Sequence, residues 1–448
     1  MIGRDEVQRL LARVLSFSKA EETQVNLRGE TLHLTRWNNN HIHQNLIRQN
    51  AILTVKAVDE KRVGTATTNR LDERSLREVV DLARRHAALQ KPNPDLPPLP
   101  GPEVIPEVQT FVRRTAESTP EERADAAGVV IAAAQKRGLT AAGTYSIEVE
   151  EVAVANSRGV SAYNLATTGY MRTIVNDGDN TGYADRMARD TGQLDPAEVA
   201  AEAILKATLR RDAADLPTGE WETIFEEYAV ADLIRFFGYI AFGALAVQEG
   251  RSFMAKAMGE KVLGENVTIW DDGLDPRGLA EPFDVEGVPK KKVVIIDRGV
   301  ARGVVHNTMT AAREGRASTG HAAVSDWGDM GPMPSNMFMA TGSATREEMI
   351  AGTKKGILVT RFHYTHAPEP MRVVATGTTR DGTFLIENGE ITTRLRNLRF
   401  TQSLIEAFDR VEAVAATARI TRDWWSTFTS VLPAVKIAGF NFTGGTTF

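Results

Sequence analysis

Between Lys91 and Pro106 the chain places seven prolines: Pro92, Pro94, Pro97, Pro98, Pro100, Pro102 and Pro106. Each fixes φ and lacks the amide proton, so neither a helix nor a central strand survives there. The stretch predicts a stiff connector, whether or not it also separates domains.

The segments on either side carry periodic patterns. Asp5–Ser18 sets Val7, Leu10, Leu11, Val14 and Leu15 on one helical face. Extended segments follow at Thr23–Leu27 and Thr31–Trp37, with Gly29-Glu30 read as a hairpin turn between them. More strand-like sequence runs through Ala51–Ala57 and Arg62–Thr68, and a helix is predicted over Asp72–Leu89. Beyond the prolines, Thr119-Pro120-Glu121-Glu122 is a helix start: Thr119 caps free amides, Pro120 fits the first turn, and Glu122 reaches back. That Ala-rich helix should end near Gly138. Asp195-Pro196-Ala197-Glu198 repeats the logic before a helix to about Leu209, with strand-like sequence and an Asn156-Ser157-Arg158-Gly159 turn in between.

After Leu216-Pro217-Thr218-Gly219-Glu220 the character changes. One long apolar helix is predicted over Ala229–Glu249, followed by β-like segments at Lys292–Ile296, Ile357–Thr360, Arg372–Thr376 and Thr383–Glu387. Asp381-Gly382 and Asn388-Gly389 are hairpin signals. The expectation is an α+β fold of two domains: residues 1–216, an α+β domain containing the connector 91–106, and residues 217–448, a β-rich domain. No internal repeat at solenoid periods is visible.

Composition narrows the chemistry. The formal net charge is −5, which argues against a general nucleic-acid binder with its basic face. With no cysteine, disulfides, thiolate nucleophiles and Cys-ligated zinc are excluded. Met1-Ile2-Gly3-Arg4-Asp5-Glu6 has no apolar signal-peptide core. The most apolar stretch, Leu233–Val247, is interrupted by Arg235 and is shorter than the roughly 20 residues a spanning helix needs. A cytoplasmic location, with no membrane contact, is expected.

Several blocks together resemble the TldD/PmbA family, once called modulators of DNA gyrase. They are Arg62-Val63-Gly64-Thr65-Ala66-Thr67, Asn156-Ser157-Arg158-Gly159 and Leu216-Pro217-Thr218-Gly219-Glu220, then Gly259-Glu260-Lys261-Val262 with Asp271-Asp272-Gly273. Pro282-Phe283-Asp284-Val285-Glu286-Gly287-Val288, Ser318-Thr319-Gly320 and Phe384-Leu385-Ile386-Glu387-Asn388-Gly389-Glu390-Ile391 complete the set. The resemblance implies a heterodimeric peptidase acting on small or unfolded peptides. One subunit type binds zinc through a His-Glu-x-x-x-His helix and a cysteine near the C-terminus. The other, TldE or PmbA, lacks that site and completes the chamber.

Two His a helical turn apart can share one metal, with a Glu between them as base for the bound water. Here no His lies between His86 and His306, and the segment where the resemblance places the zinc helix, Tyr239–Glu249, contains none. No catalytic or metal-ligating residue is therefore assigned, and no cofactor is expected in this chain; zinc is expected in a TldD-type partner.

His306, His321, His363 and His366 remain as candidate peptide contacts. His363-Tyr364-Thr365-His366 is placed at a strand-to-loop transition, where it either touches peptide or partner, binds metal, or is simply packed. His306 and His321 flank a presumed helix and the Ser318-Thr319-Gly320 turn. His41-Ile42-His43 has strand alternation without an acidic partner. Asp271-Asp272 and Asp284/Glu286 read as turn and capping residues before cation ligands, and the spacing of an EF-hand is missing. Met330, Met333, Met337 and Met339 suit an adaptable contact surface, and Trp424-Trp425 a buried or interface position. Alternatives to the TldE-type subunit are a stand-alone hydrolase using His321, His363 and His366, and a non-enzymatic, homodimeric binding or scaffold protein.

Overall fold

The computed structural model describes residues 1–210, 212–325, 328–422 and 429–446, with the side chains of 324–330 left aside. Trp424-Trp425 and the Met330 side chain therefore lie outside the described residues.

The N-terminal half opens with α1 (Arg4–Phe17), which buries Val7, Leu11 and Val14. Strands β1 (Glu22–Asn38), β2 (His41–Asp59) and β3 (Arg62–Thr68) precede α2 (Glu73–Ala88), whose N-cap Asp72 accepts from the Ser75 amide. No helix or strand forms through the prolines. The connector is instead pinned to the sheet by Leu99 N donating to Glu22 (3.0 Å) and Asn156 Nδ2 donating to the Pro100 carbonyl (2.9 Å). After the short α3 (Arg113–Ala116), α4 (Pro120–Gln135) carries the predicted Thr119/Glu122 capping box. Gly138, at φ +69°, ends that turn as expected. Strands β4 (Thr140–Asn156), β5 (Ser161–Asp177) and β6 (Asn180–Ala188) lead to α5 (Pro196–Thr208), capped by Asp195.

The six strands form one sheet in the order β3-β2-β1-β4-β5-β6. Helix–three strands–helix thus occurs twice, the copies meeting at the β1/β4 pair. The sequence pass missed this duplication, whose period far exceeds that of a solenoid repeat. Two glycines mark it. A Cβ on Gly64 would meet the Ala83 carbonyl and Ala87 amide at 2.1 Å, and one on Gly182 the Ala203 carbonyl at 2.1 Å and the Ala207 amide at 2.4 Å. In each copy, glycine lets the third strand touch the backbone of the last helix.

One turn expectation fails here. Gly29-Glu30 lies inside the continuous β1, where Gly29 stands opposite Ala51 of β2 on one side and Glu151 of β4 on the other. The hairpin instead turns at Asn39 and Asn40, both left-handed (φ +48° and +60°), the conformation that two-residue turns require.

The C-terminal half begins with β7 (Ala213–Ala214), β8 (Gly219–Phe225), α6 (Glu227–Ile240) and α7 (Ala244–Gln248). Next come β9 (Ile269–Asp271), β10 (Val293–Asp297), β11 (Val300–Ala301), α8 (Thr308–Arg313), β12 (Ala322–Ser325), β13 (Gly328–Pro332), β14 (Asn336–Met339) and α9 (Arg346–Ala351). The chain closes with β15 (Lys355–Glu369), β16 (Val374–Glu387), β17 (Glu390–Leu395), β18 (Leu398–Ser403), α10 (Leu404–Asp409), β19 (Val411–Arg422) and β20 (Thr429–Gly445). All of these strands except the β12/β13 pair belong to one twelve-stranded sheet. The fold is α+β, as read from the sequence.

The predicted helix over Ala229–Glu249 is broken. Gly243 bridges to Val305, and a Cβ there would lie 2.2 Å from the Pro332 carbonyl, so the chain leaves α6 to pass between these segments. Asp381-Gly382 is a bulge within β16 and not a hairpin turn. Asp381, left-handed at φ +56°, sends a buried carboxylate to Arg361 Nε (2.6 Å) and Thr181 Oγ1 (2.6 Å). Asn388-Gly389 does make the β16/β17 hairpin. Met333, Met337 and Met339 are buried, Met337 and Met339 in the main core, so these three side chains offer no contact surface.

A buried ionic cluster joins the halves. Glu202 on α5 meets Lys206 (2.7 Å), Arg186 (2.9 Å) and Arg419 of β19 (3.3 Å); Lys206 reaches Glu226 (2.6 Å), which also holds Arg346 (3.0 Å). Farther along, Gln24 and Asn26 of β1 donate to the Val285 carbonyl (2.9 and 2.6 Å). No described helix is long and apolar enough to cross a membrane.

Candidate functional site

The four candidate histidines fall into two groups. His306 and His321 come together: the His321 amide donates to the His306 carbonyl (3.2 Å), and both side chains are fully buried. His321 Nε2 lies 2.8 Å from Asp271 Oδ1, and its Nδ1 lies 2.9 Å from Thr319 Oγ1. Asp271 Oδ2 accepts from the amides of Ser335 (2.7 Å) and Asn336 (2.8 Å). Burial pushes the His321 pKa below its ordinary value, against the opposing pull of the Asp271 carboxylate. Burial opposes the Asp271 carboxylate, yet His321 and Lys290 hold its pKa below the usual range. His306 Nε2 lies 3.7 Å from Glu314 and 3.4 Å from Arg316. Neither imidazole is presented to a peptide, which corrects the expectation for His306 and His321. They brace the loop between α8 and β12 against β9 and β14.

The same network accounts for Asp284. Its carboxylate accepts from the amides of Glu286 (2.9 Å), Val288 (3.0 Å) and Ala322 (2.8 Å) and serves as a loop cap. Burial, followed by the neighbouring Glu286, pushes its pKa up to about 7. Among the described residues, no group of three or more His, Asp or Glu is arranged to hold a metal.

His363 and His366 sit elsewhere, inside β15 rather than at its end. β15 pairs with β16 through register shifts between His363 and Glu369. Tyr364, left-handed at φ +52°, makes the bulge that aims its ring outward, at 68% exposure. The imidazoles of His363 and His366 flank that ring, with centroids 6.5 and 6.3 Å away. Partial burial, with Arg380 and Arg361 nearby, pushes the His363 pKa below its ordinary value.

Helix α6 covers the backbone of this strand. Asp232 accepts from the Phe362 amide (3.1 Å), and Arg235 donates to the Thr365 carbonyl (3.1 Å) and hydroxyl (2.8 Å). Both residues escaped the sequence reading, which took Arg235 only as an interruption of an apolar run; a charge recurring on an otherwise buried helix was the available signal. Tyr239, 57% exposed, ends the same helix. The exposed face of α6 and β15 therefore offers an aromatic ring between two imidazoles. That surface can stack on side chains and hydrogen-bond to peptide groups. It holds no nucleophile–base pair.

The residues do not fit a catalytic zinc of the His-Glu-x-x-x-His type. Neither α6, α7 nor the link between them has a histidine, the chain has no cysteine, and His321 is committed to Asp271. No step through a metal follows for this chain.

Comparison with known proteins gives the family. Residues 218–444 match the model of the PmbA/TldA metallopeptidase C-terminal domain, and residues 113–211 that of the central domain. A metalloprotease of Methanocaldococcus jannaschii is 26% identical over 251 residues, covering 55% of each chain. The metalloprotease PmbA of Escherichia coli O157:H7 is 23% identical over 406 residues, covering 86% of this chain and 85% of that one. The matches to the first curated relatives span only about half of those relatives' length. TldE from Thermococcus kodakarensis superposes with a TM-score of 0.87 at 21% identity, covering 98% of this chain and all of that one. A putative modulator of a DNA gyrase from Thermotoga maritima gives 0.86 at 20% identity, with the same coverage. With its C-terminal half and its central part both matched by the family's own domain models, the chain belongs to the PmbA/TldD metallopeptidase family.

Proposed function

We propose that this chain is the non-catalytic, TldE/PmbA-type subunit of a heterodimeric zinc metalloprotease that degrades or processes small or unfolded peptides. The carrying observation is the donor set: a PmbA/TldD-type domain whose α6–α7 region has no histidine, in a chain without cysteine. The partner of this reading is a paralogous TldD-type chain that supplies the zinc. The α6/β15 face with Tyr239, His363, Tyr364 and His366 forms part of the wall against which an extended peptide lies. Backbone pairing at a sheet edge would give loose sequence preference.

The test is reconstitution. Purified alone, the chain should carry no stoichiometric zinc by elemental analysis and cleave no unfolded peptide. Mixed with a TldD-type paralogue from the same genome, it should form a heterodimer with zinc-dependent peptidase activity. One zinc per lone chain, or chelator-sensitive cleavage by it, would overturn the assignment.

A further inference from the structure

Helix α4 buries a cation where its counterpart buries a hydrocarbon. The first helix of each copy carries a fully buried residue four positions after the N-cap: Val7 after Gly3 on α1, and Arg123 after Thr119 on α4. Val7 packs in the apolar cluster of its copy, so this place in the unit does not require a charge. A guanidinium stays protonated in proteins, and a buried charge is costly unless a counter-charge stands beside it. Two other buried cations have one: Lys206 meets Glu202 and Glu226, and Arg361 meets Asp381. Among the described residues, every hydrogen bond of Arg123 goes instead to a neutral oxygen. Glu122, on the same turn of α4, commits its carboxylate to the Thr119 amide (2.9 Å) in the capping box. Burial lowers the Arg123 pKa, and the pull of Tyr145, Glu121 and Glu122 does not offset it.

The four bonds are unequal. Nη1 donates to the carbonyls of Ser118 (3.0 Å) and Thr119 (3.1 Å). The other edge of the guanidinium, Nε and Nη2, has only Thr35 Oγ1 at 3.3 Å and Asn45 Oδ1 at 3.4 Å, both long for N–H···O bonds. A guanidinium edge of this kind takes a carboxylate through two parallel N–H···O bonds. Thr35 is sealed inside, whereas Asn45 is exposed on β2, so a single surface amide closes this edge. The charge is also felt nearby: burial, then Arg123, hold the pKa of the half-buried His33 on β1 below its ordinary value.

We propose that the Nε/Nη2 edge of Arg123 is a carboxylate-binding site, entered when the Asn45 amide swings aside. The carboxylate replaces two long contacts to neutral groups with a charge-assisted bidentate pair, and it brings the counter-charge that the buried guanidinium lacks. The ligand class is a single carboxylate, carried by a small organic acid or by the C-terminus of a peptide. The site lies between α4, β1 and β2, apart from the α6/β15 face, and it stands whether or not the subunit assignment does.

The experiment uses the full chain in carboxylate-free buffer, with urea unfolding as the readout, sodium acetate as the probe and sodium chloride at equal ionic strength as the control. With a Kd of about 5 mM, about 50 mM acetate should multiply the folded-to-unfolded ratio about 11-fold. Asn45→Ala, at an exposed position, removes one of the two competing contacts; it should keep the wild-type far-UV circular dichroism and bind acetate several-fold tighter. Arg123→Lys keeps the charge without the bidentate edge, and Arg123→Met removes both, so each should lose the acetate response. Tetraglycine and its C-terminal amide separate the two sources. Tighter binding of the acid than of acetate, with the amide inert, identifies a peptide C-terminus; binding of the acid no tighter than acetate identifies a small carboxylate. An acetate effect no larger than that of chloride in both the wild type and Asn45→Ala overturns the proposal. So does an equal effect in Arg123→Lys, or a response to sodium phosphate and not to acetate. Should neither Arg123 variant fold, Asn45→Ala decides: an acetate affinity unchanged from wild type overturns the proposal.

Discussion

Replacing Asp271 by alanine tests whether His321 is a buried strut or a substrate contact. The carboxylate serves three donors at once: His321 Nε2 at 2.8 Å and the amides of Ser335 and Asn336 at 2.7 and 2.8 Å. Two of the three are sealed from water, since Asp271, His321 and Asn336 are fully buried, while Ser335 is part-buried. Leaving a buried donor unpaired costs about 1–3 kcal/mol, so Asp271→Ala should destabilise the protein by about 3–6 kcal/mol. Asp271→Asn keeps one oxygen for the two amides, and its own amide can meet the imidazole if His321 changes tautomer. It should cost only about 1–2 kcal/mol. Equilibrium urea unfolding followed by circular dichroism reads both values. An Asp271→Ala variant within about 1 kcal/mol of wild type, below the cost of even one orphaned amide, would refute the strut and return His321 to the list of groups free to meet a peptide.

Other predictions use different parts of the structure. Gly64→Ala and Gly182→Ala should each destabilise by about 1–3 kcal/mol or more, because the new methyl meets helix backbone in both copies. Gly128→Ala on the open face of α4 should stabilise by up to about 1 kcal/mol in thermal melts. Burial pushes Glu202 up, but Lys206, Arg419 and Arg186 outweigh it and hold the carboxylate well below its ordinary 4.5. Its stabilisation is therefore complete above pH 4.5 and lost as pH falls through the lowered native pKa. Glu202→Gln should cost about 3–5 kcal/mol at pH 7 and flatten that acid limb in urea titrations at several pH values. His363→Ala should leave zinc content and stability of the lone chain unchanged; loss of a peptidase activity belonging to this chain alone would instead support a site relocated to β15.

Much of the local structure was legible because its causes lie within four residues. The Thr119 and Asp195 caps and the Asn388-Gly389 turn all form as read, since each bond joins groups three residues apart or fewer. The turn signals that failed were overruled from afar. Gly29 pairs with Glu151 across the sheet, and Asp381 answers to Thr181, 200 residues away. A glycine or Asp-Gly pair states only that the backbone can bend or come close, not which of the two the fold requires.

For function, the sequence by itself determined what this chain cannot supply. Missing cysteine and a histidine-free stretch from residue 87 to 305 are facts about atoms, and no folding restores them. Tertiary structure alone decided what the remaining histidines do, because exposure and partners depend on elements far apart in sequence. His321 meets Asp271 50 residues upstream and is sealed inside, whereas Tyr364 is turned outward by a bulge in β15. It also decided that the two helix–three strands–helix units are counterparts, a symmetry carried by backbone pairing and two glycine contacts, and largely invisible to side-chain pattern.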